Sequence, residues 1–102
     1  MLHAVTLHYI ASAQSLAAQI DAHKEWLAEG FARGLILFAG PLSTGKGGYI
    51  LFHADSAEDV NTFLQRDPFV SDRLVDCEQV SIEPLLRAAD FPASWAGAAK
   101  VV

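Results

Sequence analysis

The sequence has one cysteine, Cys77, so no disulfide forms within the chain, and a lone thiol fits a reducing compartment. It has only 7 lysines and arginines against 12 aspartates and glutamates, a formal charge of −5. That balance lacks the clustered cations by which proteins hold nucleic-acid phosphates or anionic lipid. No apolar run approaches the ~18–20 residues of a membrane span. The start, MLHAVTLHYI, has neither a basic segment nor a small-residue cleavage site, so no signal peptide is expected. His3, His8, His23 and His53 do not stand at metal-ligand spacing, so no metal site is expected either. Together these absences predict a cytoplasmic protein that binds neither nucleic acid nor membrane.

Apolar residues are abundant. They make up 52% of the 102 residues, and the mean hydropathy is +0.25. A chain of this length fits one domain and buries somewhat under ~70% of its unfolded surface. So much apolar surface on so small a domain predicts that a partner covers part of it.

The apolar residues fall into a readable order. Residues 3–10 alternate, with His3, Val5, Leu7 and Tyr9 on one side, and predict a strand. Residues 12–34 have helical period, and Gly34 suits the stop. The runs LILFAGP (35–41) and YILFHA (49–54) read as two strands of a hairpin around the turn chemistry of 43–48. Ser56 opens a second helix, with Asp59 as its acidic capping partner and Val60, Phe63 and Leu64 as its apolar stripe. That helix is expected to end near Asp67, because Pro68 disfavours helical geometry at the residue before it. Residues 75–84 alternate again as a last strand.

The order β-α-β-β-α-β predicts an α+β, ferredoxin-like domain over residues 1–86: a four-stranded antiparallel sheet with two helices on one face. The hairpin strands are apolar on both faces, so the uncovered face predicts a homodimer packed sheet to sheet. Residues 87–102 form an alanine-rich extension in which Phe91 and Trp95 are the large apolar groups.

Two polar residues break the pattern. At about 100° per residue, Leu16, Ile20, Leu27 and Phe31 share one stripe of the first helix, and His23 falls on it. Asp67 falls on the apolar side of the second helix. At a helix C-terminus an acid opposes the helix dipole, so local stability does not explain it there. Both helices follow parallel strands, and counting residues from their starts brings the two side chains to within roughly 3 Å in height. His23 and Asp67 are therefore candidate partners in general acid–base chemistry, with a buried polar packing link as the alternative. Tyr9, Phe38 and Phe69 are candidate apolar walls of a cleft around them.

Other features are set aside. GPLSTGKG (40–47) matches most of a phosphate-binding loop, but Gly47 stands where a Ser or Thr would hold magnesium, and a strand follows instead of a helix. Ser43 and Thr44 have no nearby base in sequence, and Cys77, alternating with polar residues on a strand, reads as a small buried packing residue and not a nucleophile. Trp26, at the edge of the helical stripe, reads as packing too.

The ordered set of His23 in a first helix, AGP (39–41), a glycine-rich hairpin, DPF (67–69) and a final strand ending Ile82-Glu83-Pro84 resembles the YciI-like proteins. The resemblance spans about residues 1–86. It implies a dimeric α/β barrel of the ferredoxin-like kind, with His23 and Asp67 in a cleft proposed as an active site and no cofactor. It adds Gly40 and Pro41 to Tyr9, Phe38 and Phe69 as candidate substrate-binding residues. The implied chemistry is elimination or isomerisation of a small organic molecule, cyclic ones included, of a dehydrochlorinase-like type; a non-enzymatic dimeric ligand-binding or accessory module is the alternative. Many members carry an arginine where Ile20 stands, so the resemblance does not extend to an anion clamp at that position.

Overall fold

A computed structural model describes all 102 residues. The elements run β1 (Leu2–Tyr9), α1 (Ala13–Ala32), β2 (Ile36–Pro41), β3 (Gly47–His53), α2 (Ala57–Leu64), α3 (Pro68–Ser71), β4 (Val75–Ile82), β5 (Leu86–Arg87) and β6 (Lys100–Val101). The first four strands to pair form one antiparallel sheet in the order β2-β3-β1-β4. This is the ferredoxin-like order expected from the sequence.

Register sorts the side chains. Val5 pairs with Ile50 and Gln79, and Leu7 with Gly48 and Cys77. These residues, with Phe52 and Ile36, face the helices. Val5, Phe52 and Val60 are fully buried in a core that also holds Trp26, Phe63, Leu64 and Phe69. The other face carries Ala4, Thr6, Tyr49, Leu51, Val80 and Ile82 by the same register. The helices pack on the opposite face; Phe38, Val80 and Ile82 are exposed on this one, while Leu2, which shares it, is buried.

The helix starts are capped by short polar side chains. Ser12 accepts a hydrogen bond from the Ser15 amide, and Ser56 accepts one from that of Asp59. Gly34 follows α1 in the left-handed region (φ +73°), where a side chain would be strained. Gly30 lets α1 press against β2, because a Cβ there would run into Ile36.

The face that α1 buries differs from the sequence expectation. His23, Trp26 and Gly30 are its buried residues, while Phe31 is 46% exposed. The helix is rolled so that Trp26 plugs into the core, stacked on Phe63, with its indole N–H donating to the Phe63 carbonyl at 2.9 Å. Leu16, Ile20 and Leu27 are left half-buried at the side.

The second helical segment also departs from expectation. It is not one helix running to Asp67. α2 ends at Leu64, and Asp67 begins the separate turn of α3, with Pro68 at its first position. Asp67 therefore sits at a helix N-terminus, where an acid is favoured, and its carboxylate accepts the Phe69 amide. The dipole argument for an unexplained acid does not hold, because the helix breaks one turn early.

Beyond β4 the chain builds a small structure of its own. β5 and β6 pair in parallel, a 3-10 turn spans Ala93–Trp95, and Phe91 packs edge-on against Trp95. No helix is long and apolar enough to cross a membrane.

Candidate functional site

α1 and α3 bring His23 and Asp67 together across the helical layer. His23 Nδ1 lies 2.8 Å from Asp67 Oδ1. Asp67 is fully buried and the His23 side chain is 11% exposed. The same Oδ1 accepts the Phe69 amide at 3.0 Å. A carboxylate only accepts, so Nδ1 carries the proton and donates it to Asp67. That leaves Nε2 without a partner in the protein. Asp67 Oδ2 is buried and makes no hydrogen bond.

The imidazole is also held by its faces. The Phe69 ring stacks on it at 4.0 Å between centroids and 5° between planes, and Trp26 lies behind at 5.9 Å and 27°. Phe69 is held in turn by Tyr9, edge-on at 6.3 Å. Pro68 fixes the backbone that presents both Asp67 and Phe69.

His23 opens onto a cavity of about 290 Å³ between α1 and the sheet. The half-buried part of the α1 stripe forms one wall, through Ile20 and Leu27. Of the candidate wall residues, Tyr9, Gly40, Pro41 and Phe69 line it, joined by Leu7, Ala39, Gly48 and Ile50. Gly48 pairs with the inward-facing Leu7, so its missing side chain leaves room in the floor. Asp67 does not line the cavity; it stands behind the imidazole.

Phe38 is not part of this site. It pairs with Leu51 and stacks on Tyr49 at 5.6 Å, 53% exposed on the uncovered face. A β-bulge between Ile36 and Phe38 is the cause. Strict alternation puts Ile36 and Phe38 on one face; the extra residue sends Ile36 inward and Phe38 outward.

Sequence reasoning also missed Lys24, which lines the cavity next to His23. Its adjacency to a candidate base was the available signal. The other histidines are elsewhere: His3 is buried against Ser81 and the Ala54 carbonyl, His8 pairs with Glu78 at the surface, and His53 sits at the other end of the β1–β3 ladder from His8. Cys77 is raised above its ordinary thiol value, first by partial desolvation and then by the carboxylates of Asp67 and Asp76. Cys77 is exposed on the edge strand β4, so it is not the buried packing residue that the sequence suggests, and with its thiol pushed up it is not poised as a nucleophile either.

The chain is similar in fold to a 5-chloro-2-hydroxyhydroquinone dehydrochlorinase from Burkholderia phenoliruptrix AC1100, solved in complex with 2,5-dihydroxybenzoquinone. The TM-score is 0.70 at 23% identity, covering 82% of this chain and 95% of that one. No curated protein matches the chain. The family model for the YCII-related domain matches residues 1–85, which takes in all four strands of the main sheet, both partners of the His23–Asp67 pair and the whole cavity, and the chain belongs to that family.

Proposed function

We propose that the protein is a cofactor-independent enzyme that moves a proton on a compact organic molecule bound in the cavity. The observation that carries this reading is the His23–Asp67 pair, with Nδ1 tied to a buried carboxylate and Nε2 free at an apolar hollow. Asp67 fixes the tautomer, so the lone pair of neutral His23 is on the cavity side. When Nε2 takes a proton, the carboxylate at 2.8 Å stabilises the imidazolium that forms. Apolar walls keep water from competing for the base. Elimination or isomerisation suits this arrangement without a redox group: in an isomerisation His23 takes a proton from one carbon and returns it to another, and in an elimination it takes the proton while the C–H electron pair forms the new π bond and the leaving group departs with its own pair.

The family relationship and the shared fold support a small-molecule reaction; the relative's own substrate, a chlorinated hydroxyhydroquinone, is the first compound to try. The uncovered apolar face supports a homodimer packed sheet to sheet, which sedimentation velocity tests directly. A second reading has one observation in its favour. Asp67 caps α3 as well as binding His23, as a purely structural link between α1 and α3 would.

Proton transfer itself is the test. The protein is incubated in D2O with 5-chloro-2-hydroxyhydroquinone and a panel of small carbon acids, and NMR follows deuterium uptake and chloride release. Exchange on at least one compound is expected, falling about 100-fold or more in His23→Gln. Equal exchange by wild type and His23→Gln, or none on any compound, rejects the enzyme reading in favour of the structural link.

A further inference from the structure

Lys24 is the only residue lining the cavity that carries a fixed charge. It follows His23 on α1 and is exposed, which puts its ammonium at the rim. No acid holds it: the ion pairs of the chain are His8–Glu78, His23–Asp67, Arg33–Glu29 and Arg66–Glu29. Asp21, one turn earlier on the helix, makes no pair with it either. No carboxylate lines the cavity, and Asp67 is hydrogen-bonded to His23 Nδ1.

These facts point one way in a chain of formal charge −5. Most of such a surface repels anions, and the cavity rim is a local exception. Apolar walls lower the local dielectric, so a single ammonium there attracts a negative group more strongly than it would on an open surface. At about 290 Å³ the cavity lies at the small end of the usual ~300–1,000 Å³ range for ligand sites, so the ligand is compact.

We infer that Lys24 selects a compact organic anion as the ligand, pairing with its carboxylate, phenolate or enolate oxygen at the rim while the body lies against His23 Nε2. This rests on the proton-transfer reading of the same site and names the substrate class for it. Lys24 also bears on the chemistry: removal of a proton by His23 builds negative charge on the bound molecule, and a cation beside the cavity favours that charge.

The test is calorimetric titration with benzoate, with 2,5-dihydroxybenzoquinone (an anion at neutral pH) and with benzamide, the neutral counterpart of benzoate. Wild type, Lys24→Gln and Lys24→Arg are compared at low and high salt. Benzoate is expected to bind about fivefold to tenfold more tightly than benzamide. Lys24→Gln should abolish that preference and Lys24→Arg should keep it. High salt should erode it, as the Debye length falls from ~10 Å to ~3 Å. Equal affinity for benzoate and benzamide, a preference that survives Lys24→Gln, or no binding of either anion overturns the inference. The deuterium-exchange assay separates the two readings. An anion preference that depends on Lys24, with no proton exchange, removes the enzyme and keeps the anion site. Proton exchange that is indifferent to Lys24→Gln does the reverse.

Discussion

Replacing Asp67 by alanine and by asparagine should have very different consequences, because one oxygen of this residue performs two tasks. Oδ1 accepts the Phe69 amide at 3.0 Å and faces His23 Nδ1 at 2.8 Å. Alanine removes both contacts. Loss of the α3 cap costs about 1 kcal/mol. Leaving the nearly buried Nδ1–H without an acceptor costs about 1–3 kcal/mol more. Release of the orphaned Oδ2 from burial offsets part of this. The net expectation is a loss of about 2–3 kcal/mol, and at roughly 4–8 °C per kcal/mol for a domain near this size, Tm falls by about 8–24 °C. Asparagine keeps an acceptor at the Oδ1 position and remains a good cap, and its amide NH2 replaces an oxygen that already lacks a partner. Its loss should stay near 1 kcal/mol or below. Urea unfolding of the three proteins, fitted with a common m-value, measures the gap. Equal losses for alanine and asparagine, or a loss below about 1 kcal/mol for alanine, would refute the claim that this oxygen holds the turn and the imidazole together.

Two further outcomes follow from the geometry. The Glu29 carboxyl is held below its ordinary range, chiefly by its hydrogen bonds from Arg66, whose guanidinium is shifted upward in turn. A depressed acid contributes stability above its unfolded pKa and loses it as pH falls through the folded value, so Glu29→Gln should narrow the difference in Tm between neutral pH and pH near 3. High salt should shrink the effect, since the pair is exposed; an unchanged acid limb would count against it. In the cavity floor, a Cβ on Gly48 would meet only the Gly40 carbonyl, at 3.5 Å, so Gly48→Leu should fold with Tm unchanged or raised while it fills the cavity. Loss of benzoate binding and of proton exchange is expected, and undiminished binding would show that the ligand lies elsewhere.

The order of strands and helices was legible because period, turn chemistry and capping agreed on where each main element starts. Ser12 and Ser56 cap where the sequence placed helix starts, and Gly34 stops α1. His23 was legible for a simple reason: a titratable ring on an apolar stripe has few ways to be satisfied. Its partner was found by an argument partly at fault. Asp67 was placed at a helix C-terminus, whereas a break after Leu64 makes it the N-cap of α3. Spacing alone does not show which residue before a proline ends one helix and which begins the next. Phe38 was lost to a bulge, which shifts the parity of β2 without leaving a mark in composition. The roll of α1 was hidden because Trp26 and Gly30 act through size, one filling the core and the other vanishing from it, and a periodicity count weighs neither.

On the proton-transfer reading proposed above, the stacked imidazole limits what kind of chemistry His23 can perform. A ring lying parallel to Phe69 within 5° and tethered through Nδ1 has no freedom to turn over. Its one open nitrogen is both the entrance and the exit for a proton. Whatever His23 removes from one face of a bound molecule, it can return only to that face. The stereochemistry of such an isomerisation is therefore written into a stack of aromatic rings, and a label lifted from one carbon should reappear on the same face of the carbon that receives it.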